Sequence, residues 1–219
     1  MQIDTRLILA GGGDSQPLDE LLAAWTGPDG RMLFLPIALD VSAHEGYLEV
    51  VKSEVTAFGV SNIEMWSDLG EHKTSELAAF DSVYLGGGST FRLLARLRAS
   101  GFDKALISYV RQGGVIYGCS AGADVLGRDI MTVAHAESND IGLTDTRGLD
   151  LVPGHAIWTH YLPEHDPLVF DYVRERGIPV LAIPERSGLS VFGGRPESIG
   201  FDPVYRFDGD GKLELPPPD

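Results

Sequence analysis

Short apolar runs alternate along the chain with segments whose apolar residues recur at helical spacing. The runs that predict buried strands are Leu7–Ala10, Met32–Ile37, Ile63–Trp66, Val83–Leu85, Val115–Tyr117 and Val180–Ile183. The stripes that predict helices between them span Leu18–Trp25, Tyr47–Phe58, Phe91–Leu97 and Phe102–Val110. Strands that alternate with helices indicate an α/β fold, with a mostly parallel, doubly wound sheet covered on both faces.

The pattern changes after Glu185. Three short apolar runs, Leu189–Phe192, Ser198–Phe201 and Val204–Phe207, are separated by Gly-Gly, Asp-Pro and Asp-Gly. Closely spaced strands with such turns predict a C-terminal β-meander at the edge of the sheet.

The composition limits the class of protein but does not identify a binding partner. A length of 219 residues suits one α/β domain, so we expect residues 1–219 to form a single domain. Lys and Arg number 17 against 32 Asp and Glu, a formal net charge of −15. That balance disfavours binding to nucleic acid or to an anionic membrane, since both need a cationic surface. One Cys excludes an intramolecular disulfide framework and a multi-cysteine zinc site.

The sequence also shows no recognisable targeting signal. The first apolar run has four residues, which is too short for the hydrophobic region of a signal peptide. No stretch approaches the roughly 20 apolar residues of a membrane span. A cytoplasmic protein is therefore the expectation, and since small soluble enzymes are often symmetric dimers, a homodimer is one expectation for its assembly.

The segment that predicts chemistry runs from Val115 to Ala123, an apolar strand followed by Gly-Cys-Ser-Ala-Gly. G-x-S-x-G between a strand and a helix is typical of a nucleophile elbow, whose tight turn projects the central serine from the carboxyl edge of the sheet. Ser120 is that central residue, and the Ala121 amide would supply half of an oxyanion hole. Cys119 is the rival nucleophile, but its place beside the centre favours a small buried hydrophobe. The alternative is a purely structural role, in which a glycine-rich turn lets a helix pack on a strand.

Two further glycine clusters follow predicted strands. Gly86-Gly87-Gly88-Ser89-Thr90 would lie at the same edge as Ser120. It could give the second oxyanion donor from Gly88, or only a helix entry with Ser89 or Thr90 as N-cap; it lacks the lysine of a phosphate-binding P-loop. Gly11-Gly12-Gly13 does not continue as G-x-G-x-x-G and is not interpreted as a dinucleotide site.

A serine nucleophile needs a base and an acid that orients the base. His155 and His160 follow the apolar run Leu149–Pro153, which is interpreted as a strand, and a position just after a strand end favours them as the base. For the acid, Glu185 follows a predicted strand and Asp140 is its competitor. Convergence of loops at strand carboxyl ends favours Glu185, whereas Asp140 would give the chain order of α/β-hydrolases.

These segments together resemble the peptidase E family, which includes aspartyl dipeptidase and the related cyanophycinases. The matching residues are Tyr84–Leu94, Gly118–Asp124, Ser138–Asp140, Leu149–Glu164 and Ile183–Glu185. The resemblance implies a sheet-centred fold like that of class I glutamine amidotransferases (flavodoxin-like) and serine-type hydrolysis of short peptides with no metal or organic cofactor. It assigns the nucleophile to Ser120, the base to His160, the acid to Glu185 and the oxyanion hole to Gly88 and Ala121, with Asp140 as a secondary site residue.

Two departures from the family bear on specificity. Aspartyl dipeptidases usually carry Asn where this chain has Ser89, and an Arg after the catalytic histidine where this chain has His165–Asp171. Without a placed cation, an N-terminal Asp loses its charge-assisted partner, so strict Asp-X dipeptidase activity is not expected. The alternatives are an esterase or amidase of another acyl substrate, and a non-catalytic binding module on the same scaffold.

Overall fold

A seven-stranded sheet forms the centre of the computed structural model, which describes residues 5–13 and 16–218. In spatial order its strands are β3 (Asn62–Met65), β2 (Arg31–Leu35), β4 (Ser82–Leu85), β5 (Val115–Cys119), β1 (Arg6–Ala10), β8 (Ser187–Phe192) and β9 (Arg195–Gly200). The first five are parallel, β8 runs antiparallel to β1, and β9 antiparallel to β8. The predicted mostly parallel sheet is confirmed.

Helices cover both faces of this sheet, because its central strands are apolar on both sides. α1 (Gln16–Thr26) and α2 (His44–Val55) pack on the face that carries Ile8, Phe34 and Tyr117. The helices α3 (Thr90–Ser100) and α4 (Phe102–Arg111) pack on the other face. Continuous burial along a strand is typical of a parallel sheet covered on two sides. The predicted doubly wound arrangement is therefore present.

A second sheet of four strands lies beside the first. Its order is β11 (Gly211–Leu215), β10 (Val204–Asp208), β7 (Val180–Ala182) and β6 (Ala156–Trp158). The pair β6 and β7 is parallel, and the other two pairs are antiparallel. With α6 (Asp166–Arg176) these strands enclose a third apolar cluster, which includes Tyr161, Val169 and Phe207.

The predicted C-terminal meander is divided between the two sheets. β8 and β9 form a hairpin on the large sheet, whereas β10 leaves it and pairs with β7. Pro203 lies between them and has no N–H to donate to a continuing ladder. The buried side chains of Val204 and Phe207 then find their apolar surroundings outside the hairpin.

The segment before β6 also differs from the prediction. The apolar run Leu149–Pro153 is not a strand; its amides at Leu149 and Leu151 bond instead to the carbonyls of Val125 and Leu126. Within the described residues, no helix is both long and apolar enough to cross a bilayer.

Candidate active site

The serine of the G-x-S-x-G segment lies at a sharp turn between a buried strand and a single helical turn. β5 ends at Cys119, and α5 (Ala121–Asp124) begins directly after Ser120. Ser120 has φ 51° and ψ −115°, a conformation that costs about 1–3 kcal/mol when a side chain is present. A Cβ on Gly122 would lie 2.1 Å from the carbonyl oxygen of Leu85. Glycine at that position therefore lets the turn sit close to β4.

A histidine and a glutamate from the second sheet complete a chain of hydrogen bonds to this serine. His160 follows β6 by two residues, and its Nε2 lies 2.7 Å from Oγ of Ser120. Glu185 follows β7, and its Oε1 lies 2.7 Å from Nδ1 of His160. The side chains of His160 and Glu185 are 46% and 49% exposed. The structure thus brings together the three residues named from the sequence as nucleophile, base and acid.

The glycine triplet after β1 holds the histidine and the glutamate against the large sheet. The Gly11 carbonyl accepts from the His160 amide (3.2 Å), and the Gly13 amide donates to the Glu185 carbonyl (2.9 Å). A Cβ on Gly12, whose φ is +121°, would lie 2.2 Å from Cε1 of His160. The sequence reasoning gave this triplet no role. The sequence could have indicated such a role, because this glycine run directly follows a buried strand, as the two other glycine clusters do.

Beside the serine, the backbone amides of Gly88 and Ala121 donate to no protein acceptor among the described residues. The neighbouring Gly87 amide is engaged, since it donates to the Tyr47 hydroxyl at 3.0 Å. A Cβ built on Gly87 would come within 3.4 Å of the Ser120 Cβ, so this loop lies directly against the serine. Both amides are therefore without a protein partner next to the serine, where the sequence predicts an oxyanion hole.

The secondary candidates have other partners. The Asp140 carboxylate receives Nη2 of Arg92 at 2.7 Å and does not contact His160. Ser89 is the N-cap of α3, one of the two roles considered for it, and its hydroxyl donates to Glu137 at 2.5 Å. Burial raises the pKa of the Cys119 thiol to about 11, so this neighbour of Ser120 carries little thiolate at neutral pH.

A cavity of about 270 Å³ opens beside Ser120 and His160. Its wall includes Asp124, Glu137 and Trp158, which the sequence reasoning did not single out as site residues. The sequence could have indicated Asp124, because an acidic residue four positions after the nucleophile lies on the same side of a helix that begins there. A larger cavity of about 820 Å³ lies at the opposite edge of the sheet, and the three hydrogen-bonded residues do not line it.

Residues 7–199 match the sequence model of Peptidase family S51. The chain belongs to this family. It is a peptidase, a hydrolase that acts on peptide bonds. Among its described residues, no group of three or more His, Cys, Asp or Glu side chains could hold a metal ion.

Relatives of this S51 peptidase share most of its length. Peptidase E of Streptomyces coelicolor is 31% identical over 195 residues, covering 81% of this chain and 76% of its own. Peptidase E of Haemophilus influenzae is 27% identical over 197 residues, covering 84% and 85%. The crystal structure of a peptidase from an acI-B1 Actinobacterium superposes with a TM-score of 0.76 at 16% identity, covering 100% of this chain and 96% of its own. That last likeness concerns the fold.

Proposed function

We propose that this S51 peptidase hydrolyses short peptides through a Ser120–His160–Glu185 triad. The observation that carries the proposal is the pair of 2.7 Å contacts that link the three side chains in series. A nucleophile within hydrogen-bond reach of a base, with the base oriented by a third group, is the arrangement that activates a serine.

Each residue has one role in this reaction. Nε2 of His160 takes the Ser120 proton as Oγ attacks the substrate carbonyl and gives it to the leaving amine, which leaves an acyl ester on Ser120. The same Nε2 then takes a proton from a water that attacks this ester and returns it to Oγ, which releases the acid product and regenerates Ser120. Glu185 accepts the Nδ1–H, which fixes the imidazole tautomer and stabilises the imidazolium. The Gly88 and Ala121 amides donate to the oxyanion of the tetrahedral intermediate. These two amides lack other acceptors among the described residues, which supports the assignment.

The surroundings of the serine do not favour strict specificity for an N-terminal Asp. Among the described residues, those lining the cavity beside Ser120 include two acids, Asp124 and Glu137, and neither Lys nor Arg. A carboxylate side chain placed there would lack the cation that usually compensates its desolvation.

The test is a mass-spectrometric screen of a diverse short-peptide mixture with the wild type and Ser120→Ala in parallel. We expect cleavage by the wild type, and a loss of kcat of about 10⁶-fold in the variant, because the nucleophile is removed. Circular dichroism of the variant checks that it is folded.

Two results would contradict the proposal. Undiminished cleavage by folded Ser120→Ala protein would remove the serine from the reaction. If the wild type cleaved no peptide but hydrolysed ester or amide panels in a Ser120-dependent way, the triad would stand and the substrate class would change.

A further inference from the structure

The loop Gly86–Ser89 follows β4 and carries the Gly88 amide, which has no protein acceptor among the described residues. The amides at the two ends of this loop donate to backbone carbonyls at 3.0 Å, Gly86 to Leu35 and Ser89 to Ala38. The Gly87 amide instead donates to a side chain, the hydroxyl of Tyr47, also at 3.0 Å. The peptide group that precedes the one carrying the Gly88 amide is therefore anchored by Tyr47.

Such an anchor matters because the loop begins with three consecutive glycines. Glycine adopts positive and negative φ about equally well, so consecutive glycines do not by themselves fix the direction of the amide between them. Gly88 has a φ of +134°, and a Cβ there would lie 2.7 Å from the carbonyl oxygen of Ala38. Gly88 therefore cannot carry a side chain that would hold it in place, and the direction of its amide depends on the bonds of the neighbouring peptide groups.

Tyr47 belongs to α2, and its ring is packed against the loop. The ring meets that of Phe34 edge to face, with the centroids 5.2 Å apart. A Cβ on Gly86 would lie 2.8 Å from Cε1 of the tyrosine ring. Burial raises the pKa of the Tyr47 phenol far above its usual value, so the hydroxyl keeps its proton at neutral pH while it accepts from Gly87. The packing of the ring holds this hydroxyl at the Gly87 amide.

The same hydroxyl also reaches the end of β5. Burial raises the pKa of the Cys119 thiol, and a hydrogen bond from the Tyr47 hydroxyl opposes that rise. Cys119 directly precedes Ser120, whereas Gly87 directly precedes Gly88. Tyr47 thus contacts the residue before the nucleophile and the residue before the proposed oxyanion donor, and it links the ends of β4 and β5.

We propose that Tyr47 is a positioning residue, whose hydroxyl fixes the loop after β4 so that the Gly88 amide is directed at the oxyanion beside Ser120. The inference rests on the proposed function, because it takes the Gly88 amide as an oxyanion donor. It adds a residue of α2 that acts through the loop and does not touch the reacting atoms. Because the oxyanion forms only after attack, loss of the hydroxyl slows the reaction without weakening ground-state binding.

Tyr47→Phe removes the hydroxyl and keeps the ring. The substrates are the peptide of the mixture that the wild type cleaves fastest and, independently of any peptide, p-nitrophenyl acetate. Removing an oxyanion donor costs about 10²–10³ in kcat, and a misdirected donor should cost less. We therefore expect kcat to fall about 10- to 100-fold while KM changes less than about twofold.

Tyr109→Phe is the matched control. The Tyr109 hydroxyl is buried and donates to the Phe80 carbonyl at 3.1 Å, and Tyr109 lines the cavity at the opposite edge of the sheet. Its removal also deletes a hydrogen bond of a packed tyrosine, so it should lower stability. We expect kcat of this variant to stay within about twofold of the wild type, because its hydroxyl bonds at the far edge of the sheet.

A pair of inhibitors separates positioning of the amide from general packing. In the aldehyde derived from the acyl part of the cleaved peptide, Oγ of Ser120 bonds to the carbonyl carbon, the C=O π bond breaks, and the Oγ proton goes to Nε2 of His160. The resulting alkoxide resembles the oxyanion, whereas the corresponding alcohol binds without reacting. We expect Tyr47→Phe to raise the Ki of the aldehyde by the factor that it lowers kcat, and to change the Ki of the alcohol less than about twofold.

Amide exchange followed by NMR tests the anchor without any substrate. The Gly87 amide should exchange at least about tenfold faster in Tyr47→Phe, because its acceptor is gone, whereas the amides of β1 should exchange as in the wild type. Equal exchange of the Gly87 amide in the two proteins would overturn the inference, even if no substrate were found.

The activity results separate this inference from the proposed function. Unchanged kcat and aldehyde Ki in folded Tyr47→Phe, or equal weakening of the aldehyde and the alcohol, would overturn the inference alone. Undiminished hydrolysis by folded Ser120→Ala would overturn the proposed function and, with it, the role of the Gly88 amide in catalysis.

Discussion

Ser120 and His160 both have a positive backbone φ, of 51° and 52°. Such conformations are uncommon for residues with a side chain, and they persist where the surrounding structure over-determines them. At Ser120 the surrounding structure is the close approach of Gly122 to β4, and at His160 it is the hydrogen bond from its amide to Gly11. Both residues that would exchange the proton are thus held by their backbones as well as by their side chains.

The choice between Glu185 and Asp140 as the acid is tested at this scale. Glu185→Gln keeps the shape but removes the charge that stabilises the imidazolium, so kcat should fall about 10⁴-fold. Asp140→Asn removes an exposed pair with Arg92, and kcat should change less than threefold, in line with the small energies of surface ion pairs. Steady-state assays on the same peptide compare the two variants. A larger loss in Asp140→Asn would exchange their roles.

Cys119 should be inert although it precedes the nucleophile. Because burial raises the pKa of its thiol to about 11, the thiolate fraction at pH 8 is about 0.1%. We expect iodoacetamide at pH 8 to leave peptidase activity intact, and to alkylate the thiol rapidly once the protein is unfolded in urea. Fast stoichiometric labelling of the folded protein, with parallel loss of turnover, would contradict this prediction.

At the residue scale the sequence was sufficient for Ser120 but not for its base. The G-x-S-x-G segment names its central residue, whereas His155 and His160 were equally placed after an apolar run. β6 separates them: His155 precedes its first residue and His160 follows its last. A three-residue strand has too little periodicity to be located from sequence, and only the resemblance to peptidase E distinguished the two histidines.

Among the elements, the loop after β1 has a role that its residue types do not indicate. Gly11–Gly13 lies against His160 and Glu185 through backbone contacts, so its contribution depends on side chains being absent. Sequence reasoning looks for functional groups, and a glycine run offers none.

The main strands and α1 to α4 were predicted to within a few residues, because their apolar residues are periodic. α6 was harder, since Val169 and Tyr172 are its buried residues and its remaining positions are mostly polar.

Gly12→Ala tests this loop. The added Cβ would meet the His160 ring at 2.2 Å, and a displaced base should lower kcat about 100-fold. Gly59→Ala is a matched control, because its φ of +103° imposes similar backbone strain while a Cβ there meets nothing within 4 Å. Both variants should lose about 1–2 kcal/mol of unfolding free energy. If the two lost activity equally, contact with His160 would not be the cause.

For the molecule as a whole, the seam between the two sheets decides the geometry of the site. Ser120 and Gly88 follow strands of the large sheet, whereas His160 and Glu185 follow strands of the small one. The sequence predicted one sheet with an edge meander. The spacing of apolar residues locates strands but does not show which strands pair with one another. The convergence of Glu185 on the serine was expected from a shared sheet edge, but it arises from two sheets that meet at Gly11–Gly13.

Phe207 tests how much the small sheet contributes to stability. Its ring is fully buried in the cluster with Tyr161 and Val169, so Phe207→Ala should cost about 3–5 kcal/mol of unfolding free energy in urea titrations. Leu213 lies on the adjacent strand but is 56% exposed, and Leu213→Ala should stay within about 0.5 kcal/mol of wild type. Equal, small losses would mean that the cluster is not a stabilising core.

The position of β1 has a consequence for the protein as it is synthesised. β1 leaves the ribosome long before β8, the strand with which it pairs, because β8 begins only at Ser187. The nascent chain carries Ser120 well before His160 and Glu185 have been added. If the proposed triad is right, the serine stays unactivated until Glu185 has been added, so hydrolytic capacity appears late in the synthesis of this domain.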